Sequence, residues 1–262
     1  MTPPSTAPDT TSDRLVARAA LLAGAGTGAV TALAFTVQPA FALDEGFPVR
    51  VAFVAAGMML VALAGLRDHH PLARVGPGNL VTGTRALLVA LLAAVALEPA
   101  VRPLGWWLVG TATLAASLDL ADGWLARRTR LASAFGARFD MEVDALLILV
   151  LSGLVWRADL TGPWVLASGL MRYGFVVAAV ALPWMTRALP SSRRRQAICV
   201  VQIAALIGAL SPIVPPLAAV ALTAASLALL TWSFWLDVVW LFAARDLEPR
   251  APSPGTRPTR PT

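Results

Sequence analysis

Eight long apolar segments, separated by short polar stretches, are the feature that most limits how this chain can fold. In the hydrocarbon core of a bilayer the backbone cannot bond to water, so a spanning segment must be a helix or part of a closed barrel. Barrel strands are short and alternate in polarity, whereas these segments are continuous and several approach the ~20 residues of a helical span. We therefore predict an all-α fold, a polytopic integral membrane bundle of about eight transmembrane helices. The segments are 15–37, 49–66, 80–97, 104–121, 141–156, 163–183, 197–212 and 217–243.

The composition excludes a water-soluble fold. Hydrophobic residues make up 57% of the chain and charged residues 14%, whereas soluble domains have about 45–50% and about 25%. A net charge of +6 would suit nucleic acid, but the arginines lie in short loops between apolar segments, as is typical of membrane topology. We expect a lipid bilayer and no nucleic acid. The single cysteine, Cys199, can form no intrachain disulfide and is predicted to be a small buried apolar side chain.

The placement of arginine predicts the orientation of the bundle. Loops rich in arginine alternate with loops that hold only Arg50, Arg102 or Arg157. Under the positive-inside rule the arginine-rich side faces the cytoplasm, and both termini then lie there. We expect a bacterial cytoplasmic membrane. The arginine-rich loops hold Arg67 and Arg74, then Arg127, Arg128 and Arg130, then Arg187, Arg193, Arg194 and Arg195.

Both ends of the chain, residues 1–13 and 247–262, are rich in Pro, Thr or Ser and are predicted to be disordered tails. Arg14, Arg18, the first apolar segment and Ala40-Phe41-Ala42 also resemble a cleavable signal peptide. The segment is longer than the ~7–15 apolar residues of a signal, so we interpret it as an uncleaved span. Cleavage would leave one span fewer and the same chemistry.

Four aspartates on two consecutive segments carry the strongest chemical signal. Asp119 and Asp122 lie about one helical turn apart, and Asp140 and Asp144 are four residues apart, so each pair shares a helix face. Charged residues within spans are costly and usually mark function. Helix capping would explain an isolated Asp at a helix start, but not residues that project from helix bodies. We expect the four carboxylates to converge at the cytoplasmic membrane surface.

Carboxylates held so close must take up protons or bind cations. Oxygen ligands suit hard divalent ions such as Mg²⁺, Mn²⁺ or Ca²⁺, and two such ions can clamp both sides of a phosphoryl displacement. The alternative is a transporter or channel, in which intramembrane Asp and Arg form an ion path. The sequence shows no clear internal repeat of the kind that transporters often have.

The same residues resemble the signature of the CDP-alcohol phosphatidyltransferase family. Its fixed positions occur here as Asp119-x₂-Asp122-Gly123-x₂-Ala126-Arg127-x₈-Gly136-x₃-Asp140-x₃-Asp144. Upstream, Pro77-Gly78-Asn79-Leu80-Val81-Thr82-Gly83-Thr84-Arg85 is similar to the family's Pro-Asn-x-x-Thr-x-x-Arg, with an extra Gly after the Pro. The resemblance covers residues 77 to about 243. It implies a six-helix membrane domain, 71–246, preceded by a two-helix membrane extension, 14–70.

The resemblance implies a metal-dependent enzyme of phospholipid biosynthesis. Such an enzyme transfers the phosphatidyl group of a CDP-activated lipid, such as CDP-diacylglycerol, to the hydroxyl of an alcohol and releases CMP. Asp119, Asp122, Asp140 and Asp144 would hold two Mg²⁺ or Mn²⁺ ions, and Asp144 would also deprotonate the acceptor. A homodimer is implied as well. The residues implied in binding CDP are Asn79, Thr82, Gly123, Ala126, Arg127 and Gly136.

Arginines in the second half of the chain suggest where an acceptor could bind. Arg172 lies in mid-span, where an unpaired charge is costly. Together with Arg193, Arg194 and Arg195 it would bind a phosphate on the acceptor, as in glycerol phosphate or inositol phosphate. The alternative is an ion pair for Arg172, with Asp237 as a candidate partner, and a purely topological role for the other three.

Overall fold

A computed structural model describes residues 10–69, 76–129, 134–187, 189–190 and 192–245, with the backbone alone at 10–13, 67–69, 77, 120–129 and 134. The described residues form eight α-helices and no strand, which confirms the all-α membrane bundle. Five helices are long and apolar enough to cross a membrane by length and composition: α1, α2, α3, α8, and α6 with the turn before it. The helices are α1 (Thr10–Ala40), α2 (Phe47–His69), α3 (Pro77–Val95), α4 (Gly105–Thr129), α5 (Ala134–Arg157), α6 (Ala167–Ala181), α7 (Arg193–Leu210) and α8 (Pro216–Ala243).

Several helix ends differ from the predicted segments, and two of the differences move residues out of a predicted tail or loop. Helix α1 begins at Thr10, so residues 10–13 of the predicted N-terminal tail are helical, while 1–9 lie outside the described residues. Helix α4 continues to Thr129, so Arg127 lies on the helix rather than in the predicted loop. Ala, Leu and Arg are strong helix formers, and a helix therefore need not end where its apolar segment ends.

Helix α3 forms the centre of the bundle, because α1, α2, α4 and α5 all pack against it. Its inward positions include Ala86, Ala90 and Ala94, none of which is accessible to solvent. Small residues let helix backbones approach closely, which is the main source of helix association in lipid. A residue on the inner side of α3 is therefore surrounded by protein on several sides.

Helices α5 and α6 touch through their backbones at Gly169. A Cβ atom at this position would lie 2.3 Å from the Cα of Leu149 and 2.6 Å from its Cβ. No side chain fits within that distance, so glycine is required here by the close approach of the two helices.

A buried carboxylate joins the first two helices to the rest of the bundle. Glu98, just after α3, is 2% exposed and forms an ion pair with Arg50 of α2. The backbone N–H of Asp44 also donates to Oε2 of Glu98 at 3.1 Å. Arg157, the last residue of α5, donates from Nη2 to the Glu98 carbonyl oxygen at 2.7 Å. The ends of α1, α3 and α5 therefore meet on one face of the bundle.

Candidate active site

Arg85 reaches from α3 into the space between α4 and α5, and its side chain is fully buried. Its Nη1 lies 2.9 Å from Asp119 Oδ1 and 2.5 Å from Asp140 Oδ1, and its Nη2 forms an ion pair with Asp144. Its Nε donates to the carbonyl oxygen of Ala115 at 3.2 Å. The planar fork of a guanidinium can serve several carboxylates at once in a fixed geometry. Arg85 therefore fixes how these three aspartates stand relative to one another.

The structure brings together three of the four aspartates that we expected to converge. One carboxylate oxygen from each of Asp119, Asp140 and Asp144 lies within 4.8 Å of the others. Their side chains are between 22% and 37% exposed, so the cluster opens to the outside at one end of the bundle. This end is opposite the face that carries Glu98, because α3 and α5 begin here and end there.

The cluster fits a divalent cation. Oxygen ligands lie about 2.0–2.6 Å from Mg²⁺ or Ca²⁺, so two ligands of one ion are separated by about 5 Å or less. The three carboxylates meet that limit. They are hard oxygen ligands without a His or Cys among them, which favours Mg²⁺ or Mn²⁺ over zinc.

Four further predicted residues, Asp122, Gly123, Ala126 and Arg127, lie on the backbone of α4, but their side chains are outside the described part of the structure. Asp122 is one turn beyond Asp119 on that helix. Gly136 lies in the first turn of α5, one turn before Asp140. The stretch between α4 and α5, residues 130–133, is also outside the described residues.

Asn79 and Thr82 belong to the first turns of α3, on the same helix as Arg85. Thr82 is 3% exposed, and its hydroxyl donates to the carbonyl oxygen of Gly78 at 3.1 Å. The Nδ2 of Asn79 is buried and has no hydrogen-bond partner among the described residues. Positions 79, 82 and 85 are three residues apart, so they follow one flank of the helix.

Three of the four predicted acceptor arginines are paired with acids, and the pairing differs from the one we expected. Arg172 forms an ion pair with Glu142 of α5, so Asp237 is not its partner. Asp237 instead pairs with Arg194 at 2.5 Å and with Arg195 at 3.2 Å, since α7 and α8 pack side by side. Arg193 is exposed at the start of α7.

Helix α7 adds two residues that the sequence did not point to. The Cys199 thiol lies 4.0 Å from Asp144 Oδ2, so this cysteine borders the cluster instead of only filling space. Gln202, one turn further along, is fully buried, and neither amide atom has a hydrogen-bond partner among the described residues. The sequence did contain a signal for these two residues, since Gln202 is a polar amide about one helical turn from Cys199 within an apolar segment.

The helical bundle, with a buried arginine and converging carboxylates at one end, defines an integral membrane protein with a candidate active site of clustered carboxylates. The chain belongs to the CDP-alcohol phosphatidyltransferase family, because a sequence model of that family matches residues 77–243. The chemistry of this family is the transfer of a substituted phosphate from a CDP-alcohol. The matched region comprises α3 to α8, so α1 and α2 lie outside it. No curated protein and no solved structure is detectably similar to the chain.

Proposed function

We propose that this protein transfers the phosphatidyl group of a CDP-diacylglycerol-like lipid to the hydroxyl of an alcohol and releases CMP, as a step of phospholipid biosynthesis. The observation that carries the proposal is the convergence of Asp119, Asp140 and Asp144 within a chain that belongs to this family. We place the enzyme in a bacterial cytoplasmic membrane with its active site facing the cytoplasm, as the arginine distribution favours.

The aspartates would hold the divalent cations and handle the proton. Asp119, Asp122, Asp140 and Asp144 are the proposed ligands of two Mg²⁺ or Mn²⁺ ions. Such ions supply charge neutralisation for a pyrophosphate when they are bound. Asp144 accepts the proton of the acceptor hydroxyl, whose oxygen attacks the phosphorus that bears the lipid. The bond from that phosphorus to the CMP oxygen breaks, and CMP carries away the electron pair.

Arg85 acts as a positioning residue for this chemistry. It contacts Asp119, Asp140 and Asp144 at once and is itself held by the Ala115 carbonyl. Fixed geometry of the reacting groups is a large part of enzymatic rate enhancement, so carboxylates already held in place favour the reaction. The small residues Gly123, Ala126 and Gly136, with Asn79, Thr82 and Arg127, are the proposed contacts of the CDP moiety.

For the acceptor, the arginines at the start of α7 are better candidates than Arg172. The charge of Arg172 is balanced by one carboxylate, that of Glu142. Arg194 and Arg195 share the single carboxylate of Asp237, so a net positive charge is left for an anion. Arg195 is also one helical turn from Cys199, whose thiol borders Asp144. We therefore favour an acceptor that carries a phosphate, with Arg193, Arg194 and Arg195 as its contacts and Arg172 in a supporting position.

The decisive experiment measures CMP release by the purified full-length protein. CDP-diacylglycerol is supplied with Mg²⁺ or Mn²⁺ and with glycerol 3-phosphate, inositol phosphate or serine in parallel. We expect release that requires metal and falls about 10²–10⁴-fold in Asp144→Asn, the range for a general base. Glu142→Gln is the matched control, because Glu142 lies on the same helix and pairs with Arg172. Metal-independent release, or equal losses in both variants, would overturn the proposal.

The membrane transporter that the sequence left open has less support, because the family is one of transferases. An Asp144→Asn variant that moved ions normally while wild-type protein released no CMP would favour it. A homodimer remains a prediction, to be tested by the mass of the protein in detergent.

A further inference from the structure

An apolar cavity of about 390 Å³ lies between the first two helices and the family region. This volume is within the ~300–1,000 Å³ of typical ligand sites. Among its described lining residues, only Asn79 and Thr84 have polar side chains. The cavity is bounded by α1 from Ala19 to Ala29, α2 from Met59 to Leu66, α3 from Asn79 to Leu87, and Phe135 and Phe139 of α5.

The cavity lies beside the acidic cluster and runs about as deep as one leaflet of a bilayer. Its α3 and α5 walls come from the N-terminal parts of those helices, which also carry Arg85, Asp140 and Asp144. From Ala19 to Ala29 a helix rises about 15 Å, which is half of the ~30 Å hydrocarbon core. Phe139 directly precedes Asp140, and it stacks on Phe135 with ring centroids 5.7 Å apart. Two aromatic rings therefore form the cavity wall next to the cluster.

One hydrogen-bond donor is available at the shallow end of the cavity. The hydroxyl of Thr84 is used internally, because it donates to the Leu80 carbonyl at 3.0 Å. The Nδ2 of Asn79 is buried and has no partner among the described residues. Leaving such a donor unpaired costs about 1–3 kcal/mol. An apolar cavity with an unpaired donor where α3 begins matches an amphiphile, with a hydrocarbon body and an oxygen-rich head.

We infer that this cavity holds one acyl chain of the CDP-activated lipid donor, with Asn79 donating to a phosphate oxygen of that lipid. This inference rests on the proposed function and adds a role for α1 and α2, which lie outside the region that the family model matches. The two helices form one wall of the donor site. The enzyme then selects its lipid donor by the acyl chain as well as by the head group.

A cavity-filling substitution tests the inference by kinetics. A Cβ atom at Gly83, which lines the cavity, meets nothing within 4 Å, so Gly83→Leu would occupy the space. We expect the KM for dioleoyl CDP-diacylglycerol to rise roughly tenfold, as for the loss of about two buried methylene groups. The KM for a dibutyryl donor should stay unchanged. The control is Gly57→Leu on exposed α2 surface, where a Cβ also meets nothing within 4 Å. An equal rise for both donors, or no rise for either, would refute the inference.

Photolabelling tests the site without turnover. A CDP-diacylglycerol with a diazirine in mid-chain should label peptides of α1 or α2 from the cavity wall. An excess of unlabelled CDP-diacylglycerol should suppress the labelling, and phosphatidylglycerol with the same chains should not. Labelling confined to α6, α7 or α8, or equal competition by both lipids, would overturn the inference. If no donor yields CMP, the proposed function fails, but the labelling still decides whether the cavity takes the chain.

Discussion

The guanidinium of Arg85 forms an ion pair with the carboxylate of Asp144 although 59 positions separate them in the sequence. The pair exists because α3 lies between α4 and α5 and its arginine has no access to solvent. Removing one partner of a buried ion pair leaves an uncompensated charge and costs about 3–5 kcal/mol. In the proposed enzyme, the ligands of the metal are therefore also ligands of an arginine. Cation binding and the Arg85 contacts should influence each other.

We expect Arg85→Gln to lower the free energy of unfolding by about 3 kcal/mol or more, because three clustered carboxylates lose a shared cation. The same variant should gain more from Mn²⁺ than wild type does, since the ion replaces the missing charge. Thermal unfolding in detergent, with and without Mn²⁺, measures both effects. Arg102→Gln is the control, because Arg102 donates to carbonyls of Ala158 and Asp159 at the opposite end. Equal Mn²⁺ shifts in wild type and Arg85→Gln would contradict this view.

Modification of Cys199 should inhibit the enzyme. The thiol is 4.0 Å from Asp144, so a methylthio group added there would crowd the proposed base. Misplacement of a reacting group by about 1 Å can cost roughly 100-fold in rate, and we expect a loss between tenfold and that value. Methyl methanethiosulfonate treatment followed by a CMP assay provides the measurement. Cys199→Ala should resist the reagent, because the chain has a single cysteine. Full activity of protein shown by mass spectrometry to be modified would disprove the prediction.

Gln202→Leu should leave the protein as stable as wild type or raise its unfolding midpoint. Gln202 is fully buried without a partner for either amide atom among the described residues, and such burial costs about 1–3 kcal/mol. Thr223→Val gives the contrast, because the buried Thr223 hydroxyl donates to the Ala219 carbonyl at 2.7 Å. Activity measured on the same samples separates a structural role of the amide from a role in the reaction. If Gln202→Leu is more stable than wild type but slower, the amide takes part in the reaction. A marked loss of stability would mean that the amide is bonded in the membrane.

Gly169→Ala should destabilise the contact between α5 and α6. The new methyl group would lie 2.3 Å from Leu149 Cα, which belongs to the backbone and cannot turn aside. Overpacking of this kind typically costs about 1–3 kcal/mol. Gly174→Ala on the same helix meets nothing within 4 Å and should be neutral or stabilising by up to about 1 kcal/mol. Unfolding midpoints of the two variants in the same detergent compare them, and equal midpoints would argue against the close approach.

The helices and much of the site could be predicted because they depend on local patterns. Long apolar segments must be helical in lipid, and a spacing of four residues places Asp140 and Asp144 on one face wherever the helix lies. Helix ends were less certain, since α4 continues past its apolar segment through residues that favour helix without being apolar.

Side-chain partners could not be predicted because they depend on how the helices pack. Glu142 and Asp237 are both acids within helices. Only the packing of α6 on α5 pairs Arg172 with Glu142, and only the packing of α7 on α8 pairs Arg194 with Asp237. The same holds for Arg85. Its place in the Pro-Asn-x-x-Thr-x-x-Arg pattern was visible, but its contacts with Asp119 and Asp140 follow from the central position of α3.

The buried Glu98 makes a shortened chain a poor substitute for the whole protein. Glu98 is 2% exposed in the whole chain, and a cut before Pro77, where the family region starts, would remove both groups that bind its carboxylate, the Arg50 guanidinium and the Asp44 N–H. A carboxylate that has lost both partners beside apolar helix ends is costly, so the ends of α3 and α5 next to Glu98 would loosen. Helices α1 and α2 thus help to balance the charges of the bundle. A catalytic fragment that lacks them would need Glu98 replaced by an uncharged residue.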